Sequence, residues 1–146
     1  MCIRDRQNPA AVRGVVFVDS STLDELRSPA YAGTDWSEGG HTINIPATEA
    51  ELAKAPTLGS RPVIVLTQDA PPVLRRTWFP IQDALARLSS DTVHVVALGA
   101  GHMVYLDKPA ITVRAIEEVV TAVRTGKRLP SCASTFPAAG GRCVSG

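Results

Sequence analysis

Three short runs of apolar, largely β-branched residues limit what this chain can fold into: residues 12–19 (VRGVVFVD), 62–67 (PVIVLT) and 93–98 (VHVVAL). None alternates cleanly between apolar and polar, so each reads as a strand buried on both faces, as in a parallel sheet covered by helices. The segments between and after them supply the helices. In residues 77–90, Trp78, Ile81, Leu85 and Leu88 fall at helical spacing. A second helix is expected over residues 109–124, opened by Pro109 and closed by Gly126. Its buried stripe is expected to be Val113, Ile116, Val119, Val120 and Val123. Strands alternating with helices predict an α/β fold of about three parallel strands joined by right-handed crossovers. Three such strands leave an apolar edge open.

The remaining segments are less regular. Residues 21–60 hold several prolines and glycines and no sustained period, and Thr48-x-x-Glu51 has the spacing of a helix-opening capping box. Leu23, Leu26, Tyr31 and Trp36 make this stretch a candidate cap-like insertion over a pocket, with ordinary packing as the alternative. Residues 129–146 read as a Pro/Gly/Ser-rich tail with little to bury. Residues 1–6 (MCIRDR) resemble the translated end of a transposon used to fragment DNA. They are therefore set apart as non-native. Native sequence preceding Gln7 is then expected to be absent from the chain.

Composition narrows the partners. With 15 Lys+Arg against 14 Asp+Glu the net charge is only +1, so no nucleic-acid or anionic-membrane partner is implied. The weakly polar stretch 93–106 is too short to span a bilayer, and residues 1–10 lack the apolar centre of a signal peptide.

In open parallel sheets, functional groups gather beyond the carboxyl ends of the strands. Asp19 closes the first run, Asp69 lies two residues past the second, and His102 follows the third through Gly99-Ala100-Gly101. A carboxylate and an imidazole on one rim are two-thirds of an acyl-transfer triad. His94, inside a strand, is expected to be a satisfied core histidine. His41 has no nameable partner, Asp91 reads as a turn residue, and Asp107 beside Lys108 as solvated. A dinucleotide fingerprint at Gly99 fails because Val104 stands where the third glycine belongs.

The blocks VRGVVFVDSS, RPVIVLTQDA and VHVVALGAGHMVYLDKPAITVRAIEEVVTAV together resemble the C-terminal half of an α/β-hydrolase-fold enzyme. The third block is the most specific: a strand, Gly-x-Gly-His, an apolar stretch, then a proline opening the last helix. The likeness covers residues 9–124, within a domain read as 7–128. It implies that His102 is the general base of a serine hydrolase acting on an ester or other acyl substrate. It leaves the acid open between Asp69 and Asp19, with the VLT…W…Q…LA…LS pattern favouring Asp19. It implies no metal or organic cofactor. The chain departs from the family at the nucleophile: no Gly-x-Ser-x-Gly elbow occurs in its 146 residues. The serine and the oxyanion-hole donors are therefore expected upstream, and the fragment alone is expected to be inactive. A non-catalytic α/β-hydrolase-like binding module is the competing expectation. Cys132 and Cys143, if paired, would pin the tail and favour a secreted or envelope-facing protein. Unpaired, they suit the cytoplasm.

Overall fold

The computed structural model describes residues 10–22, Glu25, 35–38 and 40–144. Residues 1–6, Leu23, Leu26 and Tyr31 lie outside the described residues, as does the side chain of Trp36. The elements in chain order are β1 (Val15–Val18), β2 (Asp35–Glu38), β3 (His41–Asn44), α1 (Ile45–Ala53), β4 (Gly59–Gln68) and α2 (Pro72–Ala86). There follow β5 (Ser89–Ala97), a one-turn helix α3 (Val104–Asp107), α4 (Pro109–Thr125), a second one-turn helix α5 (Cys132–Thr135) and β6 (Gly141–Cys143). The main sheet has the order β1–β4–β5–β6. β4 pairs in parallel with β1 on one side and β5 on the other, and β6 joins β5 antiparallel. β2 and β3 form a separate antiparallel pair. The fold is thus mixed α/β with a mostly parallel sheet.

The central strand shows why the stretch from Val63 to Leu66 is continuously apolar. Val63 and Val65 face Leu85 of α2 and Phe17 of β1, while Ile64 and Leu66 face Ile111, Ala115 and Val119 of α4. With period-2 alternation and a helix layer on each face, the residues from Val63 to Thr67 are all buried. α4 approaches closely because its contact face is partly alanine and because Gly14 leaves room. A Cβ on Gly14 would lie 2.6 Å from Val119 Cγ1.

Several expectations change. α4 buries Ile111, Ala115, Val119 and Ala122. Val113, Ile116 and Val120 are exposed, because the sheet takes the face on which Ala115 and Ala122 stand among Ile111 and Val119 and let the helix come close. α1 begins at Ile45, capped by the Asn44 side chain on the Ala47 N–H, not at Thr48. α2 begins at Pro72, with Pro80 inside it.

The C-terminal segment is the largest correction. It is not a tail with little to bury: Phe136 is 1% exposed and packs in the α4-side core. β6 supplies a fourth strand to the three expected. Gly141 fits only as glycine, since a Cβ would meet Val95 Cγ1 at 2.7 Å and Ile111 Cδ1 at 2.9 Å. A disulfide joins Cys132 to Cys143, with Cα atoms 5.8 Å apart. Asp91 is no turn residue: it is buried in β5 and accepts from the Leu129 N–H and the Arg128 guanidinium, anchoring the start of the same segment.

His94 lies in the core as expected. Its Nδ1 is 2.7 Å from Asp83 Oδ1 and its Nε2 is 2.7 Å from Thr67 Oγ1. A carboxylate that faces a neutral ring accepts, so Nδ1 carries the proton and the Thr67 hydroxyl donates to Nε2. Burial lowers the His94 pKa below 6.5, outweighing the hydrogen bond and charge of Asp83, which pull the other way.

Two outcomes follow. Cys132→Ser/Cys143→Ser should lose about 2–3 kcal/mol of stability, read by denaturant unfolding. Its amide exchange should rise first in β6 and α5. Secondly, a folded-state pKa below the unfolded value means that the neutral form is favoured by folding. The His94 contribution is then complete above pH 6.5 and is lost as pH falls below it towards the folded-state value. The stability of His94→Gln should vary less than that of the original chain across that acidic range. Equal pH slopes would contradict the assignment.

Candidate active site

The site stands at the carboxyl ends of β1, β4 and β5, and the order of these strands poses its main constraint. Asp19 leaves β1 and His102 follows β5, but β4 lies between them. Neighbouring strands are about 4.8 Å apart, so the loop after β5 must cross the end of β4 for the two to meet. Asp69 holds that crossing. Its backbone N–H donates to the Ala100 carbonyl at 2.9 Å, and its Oδ2 accepts from the Gly99 N–H at 3.1 Å. Asp107 Oδ2 accepts from the Gly101 N–H at 2.8 Å. Both glycine N–H groups of the Gly-x-Gly turn therefore end on carboxylates. Gly99, at φ +68°, takes a left-handed turn open to glycine at little steric cost.

Asp19 is the point of convergence. It has φ +45°, the sole positive value of a non-glycine among the described residues, a conformation that costs on the order of 1 kcal/mol and that Asp tolerates better than most. The surroundings over-determine it. Its N–H continues the β1–β4 ladder to the Leu66 carbonyl at 2.7 Å. Its Oδ1 accepts from the Gln68 N–H at 3.0 Å and from the Trp78 indole N–H at 2.7 Å. Its Oδ2 lies 2.8 Å from His102 Nδ1. The Asp19 side chain is wholly buried, while the His102 side chain is 60% exposed. Among the described residues no group bonds to His102 Nε2.

The structure thus brings together Asp19 and His102, two of the three sequence candidates, and places the third apart. Asp69 spends its oxygens on Gly99 and, at 3.4 Å, on Arg75. It braces the histidine loop rather than touching the ring. Asp107, read as solvated, is its counterpart on Gly101. Reading the sequence missed both braces and also missed Trp78 as a polar partner. The available signal was slight: two glycine N–H groups in a tight turn need acceptors, and carboxylates lie on both sides of that turn in the chain.

Chemically, the pair is a directed proton acceptor. With the Asp19 carboxylate accepting at Nδ1, the neutral ring carries its proton there and leaves a lone pair on Nε2, the exposed side. No group of three or more His, Cys, Asp or Glu suited to holding a metal occurs among the described residues. Nor is any described helix long and apolar enough to cross a membrane.

No family model, curated protein or solved structure matches the chain.

The two donors on Oδ1 make the tautomer testable. In Asp19→Asn the amide oxygen must sit where Gln68 and Trp78 donate, which turns the NH₂ towards Nδ1. The neutral His102 ring should then invert, from Nδ1–H in the original chain to Nε2–H in the variant. Long-range proton–nitrogen NMR on labelled protein reads this directly. An Nε2–H ring in the unsubstituted chain would overturn the geometry.

Proposed function

We propose that this chain carries the acid–base half of an acyl-transfer site of the serine-hydrolase kind, resembling the C-terminal part of an α/β-hydrolase fold. The attacking serine comes from polypeptide outside these 146 residues, together with the oxyanion-hole donors. The observation that carries the reading is the buried Asp19 carboxylate, held by two N–H donors on one oxygen and turned to His102 Nδ1 with the other.

His102 Nε2 takes the proton of the serine hydroxyl as the oxygen attacks the acyl carbon. It then returns that proton to the leaving oxygen or nitrogen as the acyl bond breaks. Water repeats the sequence on the acyl-serine and releases the acid. Asp19 fixes the tautomer and stabilises the transient imidazolium, and no proton passes to it. The substrate class is an ester or other acyl compound. Met103, Tyr105 and Leu106, exposed beside the ring in sequence, offer apolar surface to its acyl chain. The Cys132–Cys143 disulfide suits a secreted or envelope-facing protein.

The test is the longer protein read from DNA upstream of Gln7. It should encode a strand followed by Gly-x-Ser-x-Gly, and that serine should react with a fluorophosphonate probe. Asp19→Asn should lower the rate of ester hydrolysis by about 10⁴-fold and His102→Ala by about 10⁶-fold, and each should slow labelling. A native start codon with no elbow would leave the binding-module reading in its place, and no labelling, or labelling indifferent to His102→Ala, would count against the role given to His102.

A further inference from the structure

The Trp78 indole N–H lies 2.7 Å from Asp19 Oδ1, and the Trp78 ring meets the His102 ring edge-on, centroids 6.4 Å apart at 76°. One side chain therefore touches both members of the pair from a different element. α2 is fastened beside it at two further points. Gln82 Nε2 donates to the Ser20 carbonyl at 2.9 Å, and Asp83 accepts from the His94 ring.

A carboxylate with one donor can swing about the Cβ–Cγ bond and turn its other oxygen out of line with the imidazole. That torsion is broad and roughly two-fold for Asp. Gln68 alone supplies one donor from the backbone. Trp78 supplies a second, from a rigid ring, to the same oxygen. Swinging the group out of line then breaks two hydrogen bonds rather than one, so the other oxygen stays aimed at His102. The indole edge also limits the tilt of the imidazole, which is otherwise largely solvent-facing.

We propose that Trp78 is a positioning residue for the Asp19–His102 pair: its N–H holds the Asp19 carboxylate at the rotation that aims its other oxygen at Nδ1, and its ring edge sets the plane of the imidazole. Its catalytic consequence rests on the proposed acyl-transfer reading, but its structural consequence can be measured in this chain without any activity.

The decisive comparison is Asp19→Asn with and without Trp78→Phe. In the single variant two donors hold the amide oxygen and the His102 ring is Nε2–H. Phenylalanine keeps an aromatic ring and removes the N–H. A hydrogen bond to a charged group is worth roughly a factor of 10 to 100, and one to a neutral amide less. The double variant should therefore shift the tautomer ratio back towards Nδ1–H by about 10-fold. A tryptophan that only fills space leaves the ratio unchanged, and that result overturns the proposal. Should the double variant fail to fold, hydrogen exchange of the Trp78 indole in the unsubstituted protein decides. At least about 100-fold protection relative to free indole is expected for an N–H held this way, and exchange at the free rate overturns the proposal. In the longer protein, Trp78→Phe should lower kcat about 10-fold with KM unchanged. A longer protein that transfers no acyl group at all sinks the catalytic reading and leaves the tautomer result standing. An unchanged tautomer ratio in an active enzyme sinks the role of Trp78 alone.

Discussion

Burial of β4 on every side is the constraint that the rest of the structure obeys. It pairs with β1 and β5 along its edges and packs under α2 and α4 on its faces. Its residues from Val63 to Thr67 are all buried. At about 25 cal/mol per Å² of apolar surface removed from water, the burial of Val63, Ile64, Val65 and Leu66 favours the folded chain, and both core clusters draw on this strand. Its exit then determines the site. The Leu66 carbonyl and the Gln68 N–H fix Asp19 from one side, and Asp69 ties down the loop from β5 on the other. The same hydrogen-bonding groups that end the strand thus position the residues of the rim.

Polar groups around the pair are arranged hierarchically. Asp19, buried, takes three N–H donors; His102, exposed, is held by one of its nitrogens; Asp69 and Asp107 hold only the backbone that carries His102. Hydrogen bonds are each modest in net terms, but here they remove rotational choices. The carboxylate has one orientation, the loop one path, and the ring one tautomer. The left-handed backbone at Asp19 is tolerated because its side chain and its N–H are both engaged.

The strands were legible because a doubly covered strand is apolar on both faces, and residues 15–18, 62–66 and 95–98 are continuously apolar. His102 was legible because Gly99 and Gly101 isolate it in a tight turn. Strand position could not choose between Asp19 and Asp69, since both follow strands on the same rim, and only the resemblance leaned to Asp19. Which of the two meets the His102 ring is decided by the loop that crosses β4, a feature of three dimensions. The buried face of α4 was misread because hydrophobicity favours Val113, Ile116 and Val120, whereas close approach to a sheet favours alanine. β6 was missed because three residues, two of them Gly141 and Arg142, carry no strand pattern. Tertiary contacts with Val95 and Phe136, not propensity, make it a strand. No sequence rule would have revealed that an indole nitrogen ends on Asp19.

Closure of the sheet by β6 has a consequence for how the molecule behaves in company. A sheet margin with unpaired backbone groups is a template on which other chains can add. Residues 95–97 of β5 would join such a margin if residues 141–143 peeled away, and the sulfur–sulfur link at the last of them keeps them in place. The thiol balance of the surroundings therefore governs not only how firmly the C-terminus is held but whether β5 stays shielded from intermolecular strand addition.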